Sequence, residues 1–255
     1  MSQAIFITVR TSSTRLPQKC LLPIGDEKAI EFLIRRLKRS EEAEKIILCT
    51  TTYPQDDILC RIAEQEGILH FRGPEKDKLE RWRGAAEKFG VDFFVTADGD
   101  DLFCEPELID ICFRQHKQTG ADFIEQDNLI CGSFTYGIAT KALQKVCEIK
   151  DTEDTEMMWV YFKETGLFKV ELLQDIPSIF HRPDIRMTLD YEDDLEFFRT
   201  VAENFLHQGR KDFTLWDIMA FLDAHPEVIK INQYLQEAFL MNQKIKTKLI
   251  LKSQR

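Results

Sequence analysis

Ile5-Phe6-Ile7-Thr8-Val9, running straight into Arg10-Thr11-Ser12-Ser13-Thr14-Arg15-Leu16-Pro17-Gln18-Lys19, is the stretch that sets the fold. Five apolar or β-branched residues read as a buried strand, and the rest as the loop at its carboxyl end. Open α/β sheets bind their ligands at that end of their strands. The loop crowds three cations and four hydroxyls together in a chain whose formal net charge is −10. Arg grips phosphate oxygens as a fork and Lys as a compact charge, so the loop suits a polyphosphate. It is no P-loop, because residues 5–24 contain no glycine and anion binding would rest on side chains. A solvated turn with stray cations is the plainer alternative.

Strand and helix patterns alternate outward from this stretch. Residues 29–39 read as a helix with Ile30, Leu33, Ile34 and Leu37 on one face, 45–51 as a strand, and 56–66 as a second amphipathic helix. Strands at 68–71, 92–97 and 121–125 alternate with helices at 77–89 and 105–117, the latter opened by Pro106 at a favoured first-turn position. Such alternation implies βαβ units and a mostly parallel sheet with helices on both faces. From about residue 127 the pattern changes. Residues 127–140 read as a loop and strand insertion, 167–173 as a strand, and 193–206, 213–224 and 231–248 as helices. We expect one domain over residues 1–255, with about 127–180 forming a subdomain or dimer arm.

Hydrophobic residues at 44% and charged residues at 31% fit a soluble globular chain. No apolar run approaches the ~20 residues that span a bilayer, and Met1-Ser2-Gln3-Ala4 has neither the basic region nor the apolar core of a signal peptide. The seven cysteines are odd in number, form no CxxC pair and sit mostly among apolar neighbours, so they read as reduced thiols. The cytoplasm is the expected location, with no membrane partner. The acidic balance also argues against a nucleic-acid partner, whose backbone it would repel.

Two acidic segments complete the pattern. Thr96-Ala97-Asp98-Gly99-Asp100-Asp101 closes the buried strand at 92–97. Three carboxylates there repel one another unless a cation or hydrogen bonds compensate, and magnesium takes carboxylate oxygens while sharing its shell with substrate phosphates. An acidic turn before the helix at Pro106 is the alternative. In Met187-Thr188-Leu189-Asp190-Tyr191-Glu192-Asp193-Asp194-Leu195, Asp193 and Asp194 suit a helix amino terminus. Asp190 precedes that helix and is a candidate second metal ligand facing Asp100.

Taken together, these segments resemble a known family. Arg10-x-x-Ser13-Thr14-Arg15-Leu16-Pro17-x-Lys19 resembles the signature loop of the CMP-sugar synthetases, such as 3-deoxy-manno-octulosonate cytidylyltransferase. Val95-Thr96-Ala97-Asp98-Gly99-Asp100-Asp101 is similar to their second motif and Leu189-Asp190-Tyr191-Glu192-Asp193-Asp194-Leu195 to their closing motif. Phe71-Arg72-Gly73-Pro74 through Asp77, Leu79 and Arg81, with His225-Pro226-Glu227 to Ile231-Asn232, resembles the spore-coat-polysaccharide branch. The matches run from residue 5 to about 233 in the family's order. Three positions depart from the pattern: Cys20 follows Lys19, Leu102 stands where a proline is expected, and Asp154-Thr155-Glu156-Met157-Met158-Trp159 replaces a Glu-His-Val-Thr run.

The resemblance implies a Rossmann-like nucleotide-diphospho-sugar transferase fold and transfer of CMP from CTP to an acidic 2-keto sugar, with loss of pyrophosphate. It implies that Arg10, Ser13, Arg15 and Lys19 hold the CTP phosphates and that Arg72, Asp77 and Lys78 contact the base. Asp100 and Asp190 would bind Mg2+, with Asp98 a candidate for a second ion or an outer ligand. Arg15, Lys19, Asp100 and Asp190 form the expected catalytic set. An acidic acceptor needs a cationic clamp, for which Arg186, His181 and Arg182 are candidates, although His181 and Arg182 equally suit a surface. A homodimer is expected, with Tyr234, Leu235, Phe239 and Leu240 facing either a partner or the chain's own core. The alternatives are a transferase of this fold using another nucleotide or acceptor, and a non-catalytic nucleotide-binding protein.

Overall fold

β1 (Gln3–Thr8) lies inside a seven-stranded sheet in a computed structural model of the chain, which describes residues 2–253. After it come a small hairpin of β2 (Pro23–Ile24) and β3 (Glu27–Lys28), then α1 (Ala29–Leu37), β4 (Lys45–Thr51), α2 (Asp57–Gln65), β5 (Leu69–Gly73), α3 (Lys78–Phe89), β6 (Phe93–Asp98) and α4 (Pro106–Thr119). The second half adds β7 (Phe123–Glu125), β8 (Tyr136–Ala139), α5 (Thr140–Ile149), α6 (Trp159–Lys163), β9 (Val170–Leu172), α7 (Glu192–Leu206), α8 (Leu215–Ala224), α9 (Pro226–Ile229) and α10 (Leu235–Lys246). The sheet order is β5-β4-β1-β6-β8-β7-β9. β5, β4, β1 and β6 run parallel, β8 runs antiparallel to both its neighbours, and β9 runs parallel to β7.

The chain leaves β1 toward β4 on one side and returns to β6 on the other. That reversal of strand order opens a crevice at the carboxyl ends of β1 and β6, the topological switch point where such sheets bind ligands. Alternate residues of a strand face opposite sides of the sheet. Ala4, Ile5, Phe6 and Ile7 are all fully buried, so both faces of β1 are covered, as a parallel sheet requires. Phe6 and Phe94 stack across the β1–β6 pair with ring centroids 4.2 Å apart.

Residues 127–180 are not set apart from this sheet. β8 is inserted between β6 and β7, and β9 extends the sheet beyond β7. α5 was not foreseen, although Ala142, Leu143 and Val146 bury one face of it. The helix expected at 231–248 begins at Leu235, after the single turn of α9 that Pro226 opens. α10 buries none of its residues, which is why its apolar period is weak. All seven cysteines are free thiols, five of them buried. Among the described residues no helix is long and apolar enough to cross a membrane.

A buried polar knot pins three segments together in the core. The Arg36 guanidinium donates to Glu105 at 2.5 Å, to the Cys104 carbonyl at 3.0 Å and to the Phe213 carbonyl at 2.7 Å. Glu105 also accepts from the Leu215 amide at 2.8 Å. This joins α1, the loop after β6 and the start of α8, with every charge paired as a buried charge must be.

Candidate active site

The loops after β1 and β6 meet because their strands are neighbours, with Thr8 opposite Asp98 in the register. The Gly99 amide donates to the Thr8 carbonyl at 2.8 Å, so the pairing continues one residue past the strand. A Cβ at Gly99 would lie 2.6 Å from the Val9 side chain, so only glycine fits this approach. Gly132 does the same from the other side. Its φ is +84° and a Cβ there would stand 2.0 Å from the Met187 carbonyl oxygen. The segment carrying Asp190 is thereby brought against the acidic loop, and the Leu189 amide donates to the Asp100 carbonyl at 2.8 Å.

The basic loop is fixed at both ends. The Thr11 amide and hydroxyl donate to buried Asp56 at 2.8 and 2.6 Å, and the Thr51 hydroxyl donates to the same carboxylate. At the far end Gln18 adopts a left-handed backbone with φ 52°, a conformation that disfavours most side chains and that turns the chain into Lys19. Lys19 Nζ then donates to Asp100 at 2.5 Å and to Asp190 at 2.8 Å. Arg15 donates to the same Asp190 oxygen and lies over the Tyr191 ring, 5.3 Å from its centroid. Two carboxylates from distant segments thus converge on one ammonium.

Electrostatics follow from that convergence. Burial alone would raise the Asp190 carboxyl, but the Lys19 ammonium and the Arg15 guanidinium outweigh it and hold the group down at about 2. The Lys19 ammonium is held well above its ordinary value by the same pair of carboxylates, against the opposing effect of burial. Asp101 behaves differently. It is only 6% exposed, and burial followed by the charges of Asp100 and Asp98 drives its carboxyl well above the usual range. Burial and its acidic neighbours thus disfavour the charged form of Asp101.

Behind Asp190 stands Arg186, fully buried and committed. It donates to Asp194 at 2.9 and 3.1 Å and to the second Asp190 oxygen at 3.2 Å. Asp194 also accepts from the Asp190 and Tyr191 amides and from the Asn232 amide group, so it caps α7 as expected of an acid in a first turn. The crevice in front has a volume of about 580 Å³, in the range of small-molecule sites. Residues 4–243 match the family profile described as cytidylyltransferase. The chain belongs to the cytidylyltransferase family.

Two curated relatives and a solved structure are similar over nearly the whole chain. This cytidylyltransferase is 30% identical over 233 residues to an uncharacterized protein of Methanocaldococcus jannaschii, covering 91% of this chain and 94% of the other. It is 25% identical over 235 residues to the spore coat polysaccharide biosynthesis protein SpsF of Bacillus subtilis, covering 89% and 97%. Its fold superposes on a cytidylyltransferase from Leptospira borgpetersenii with a TM-score of 0.81 at 26% identity, covering 90% of this chain and 97% of that one.

Not every residue expected at the site of this cytidylyltransferase lies there. Arg10, Ser13, Arg15, Lys19, Lys78, Asp98, Asp100 and Asp190 all line the crevice. Arg72 does not: its guanidinium donates to the Thr51 and Tyr53 carbonyls and to Asp57, tying β5 to the end of β4. Asp77 is buried as the cap of α3, accepting from the Glu80 amide at 3.2 Å, the Thr155 hydroxyl at 3.0 Å and Lys150 at 2.5 Å. The acceptor clamp also needs correction. Arg186 is enclosed by its own acids, Arg182 pairs with Asp184 and Asp223, and His181 is exposed outside the crevice lining.

Several contributors were not foreseen. Asp56 anchors the basic loop through an interaction 45 residues long in sequence, which no local spacing reveals. Glu156 pairs with Arg10 at 3.2 Å, and Gln236 and Phe239 of α10 reach over the crevice. The Phe239 ring lies 4.6 Å from the Arg186 guanidinium carbon. Thr135, Tyr136 and Trp159 form the wall opposite the basic loop, supplying hydroxyls and rings.

Proposed function

We propose that this cytidylyltransferase transfers CMP from CTP to a hydroxyl of an acidic 2-keto sugar, with Mg2+ as cofactor and pyrophosphate as the second product. The observation that carries the reading is the convergence of Asp100 and Asp190 on the Lys19 ammonium, with Arg15 beside it on Asp190. Two carboxylates fit magnesium, which is held by one or two protein oxygens and completes its shell with phosphates and water. Among the described residues there is no cluster of three His, Cys, Asp or Glu side chains that would make a closed protein cage. When bound between these two acids, magnesium would neutralise phosphate charge. The chain's own cations supply the rest.

In this reading Lys19 and Arg15 neutralise the triphosphate and stabilise the charge that grows on pyrophosphate as the bond from the α-phosphorus breaks. The new bond joins the acceptor oxygen to the same phosphorus. Positioning and charge account for most of the acceleration in such transfers. Asp98, paired to Lys78 at 3.5 Å, faces the same space as a further acid. The product would feed surface polysaccharide or glycan assembly. A cytoplasmic homodimer belongs to the same proposal, and sedimentation of the purified protein tests its dimeric state.

The wall opposite the basic loop favours a second reading, in which the acceptor carries no carboxylate. All six cations that line the crevice lie on Arg10, Arg15, Lys19, Lys78, Arg81 and Lys246. The opposite wall has Glu125, paired to Lys163 at 2.8 Å, as its charged side chain. Pyrophosphate release from CTP with magnesium, over octulosonic, sialic, legionaminic and pseudaminic acids and matched neutral sugars, decides between the two. UTP, ATP and GTP in the same assay test the nucleotide. Equal release from all four nucleotides would overturn the cytidylyl assignment.

A further inference from the structure

We propose that Glu156 reads the nucleoside half of CTP, its carboxylate accepting a hydrogen bond from the cytosine amino group or from the ribose 2′-hydroxyl. The inference rests on CTP being the nucleotide. The crevice has two charged ends. At one, Arg15 and Lys19 face Asp100 and Asp190, which is the triphosphate and metal end of the proposed function. At the other, where the basic loop leaves β1, Arg10 meets Glu156 at 3.2 Å. In this proposal the triphosphate lies along Arg15 and Lys19 and the nucleoside toward that second end.

Glu156 is held there by a built support. Thr155, only 1% exposed, donates to Asp77 at 3.0 Å and accepts from the Leu79 amide at 3.1 Å, while its own amide donates to the Lys76 carbonyl at 3.2 Å. Lys150 closes the knot on Asp77 at 2.5 Å. The segment before Glu156 is thereby docked on the amino end of α3, which carries Lys78 and Arg81 into the crevice. Partial desolvation at the crevice opposes the Glu156 charge, yet Lys78, Arg10, Arg81 and Lys246 together hold its carboxyl below the usual range, so it is ionised at neutral pH.

An ionised carboxylate has no use for a triphosphate, which offers charge of the same sign and no donors at neutral pH. Beyond Arg10 it can take a further donor, and the nucleoside supplies two kinds, an exocyclic amine and a ribose 2′-hydroxyl. A hydrogen bond to a charged acceptor is among the stronger ones. The same residue also orients Arg10, which donates to it at 3.2 Å.

The test is calorimetric binding of CTP, UTP and dCTP, each with magnesium, to the wild-type chain and to Glu156→Ala and Glu156→Gln. Glu156 is about half exposed, with 47% of its side chain accessible, so both variants should fold, and thermal melting checks that they do. Glu156→Ala should weaken CTP by about ten- to a hundredfold, and Glu156→Gln by much less because its amide oxygen still accepts. If the base is read, UTP binds the alanine variant as it binds wild type; if the ribose is read, dCTP does so. Equal weakening of all three nucleotides, tighter CTP binding, or no change would each reduce Glu156 to a counter-ion of Arg10 and overturn the assignment. A wild-type chain that binds none of them overturns the CTP reading first, and this one with it.

Discussion

At the residue scale, the charged groups of the site divide by whether they are free to meet a ligand. Asp100 keeps 24% of its side chain exposed, whereas Asp190 keeps 3% and Arg186 none. Asp100→Asn should therefore lower turnover by about a hundred- to a thousandfold while melting at nearly the wild-type temperature. Arg186→Gln should instead cost about 3–5 kcal/mol in urea unfolding, because it strands Asp194 and half of Asp190 in the interior. Arg182→Ala, at the surface, should stay within about 0.5 kcal/mol. If Arg186→Gln unfolds like wild type and fails only with an acidic acceptor, the clamp returns. Asp190 adds a pH signature. Its carboxyl sits at about 2 in the fold against an ordinary 3.8, so it contributes about 2 kcal/mol above pH ~4. That contribution drains away as pH falls toward 2. The stability gap between wild type and Asp190→Asn should accordingly narrow between pH 6 and pH 2.

At the scale of elements, what could be read in the sequence was whatever is local. The basic loop, the acid turn and the acids opening α7 each announce themselves within ten residues, and β4 was read to its exact ends, Lys45–Thr51. The short strands were harder, because the four residues of Tyr136–Ala139 gain their place only by antiparallel pairing with β6 and β7. Arg72 and Asp77 are expected at a base only through the family resemblance of their segment, of which Lys78 and Arg81 do reach the crevice. The partners of Arg72 and Asp77, Tyr53 and Thr51 for one and Lys150 and Thr155 for the other, lie between 19 and 78 residues away. α10 illustrates the opposite failure. It has no buried face to give it a period, and its seat is set by Asn232, which is fully buried and donates to the Arg186 carbonyl at 3.1 Å and to Asp194 at 2.9 Å. Asn232→Ala should thus cost about 1–3 kcal/mol, whereas Leu240→Ala, 54% exposed, should cost almost nothing. Chemical denaturation of the two variants side by side checks the contrast.

At the scale of the whole molecule, the site is a seam between parts of the chain that are far apart in sequence. Loops after β1 and β6, the strand-like approach to α7, the start of α3 and the length of α10 all border one crevice. A ligand that bridges them stabilises the fold as a unit, since anything that binds only the folded state adds RT ln(1 + [L]/Kd). At a hundredfold excess over Kd this is about 2.7 kcal/mol, which for a chain of this size raises the melting temperature by about 5–10 °C. CTP with magnesium should produce that rise. CTP with a chelator should produce much less, because the triphosphate would then approach Asp98, Asp100 and Asp190 with no metal charge to offset theirs, and Lys19 and Lys78 are already paired with those acids. Magnesium alone should give a small rise, since two carboxylates without phosphate leave most of its shell to water. An equal shift with and without chelator would mean that the triphosphate sits on the basic loop alone, and that the convergence of Asp100 and Asp190 serves to hold Lys19 rather than a metal.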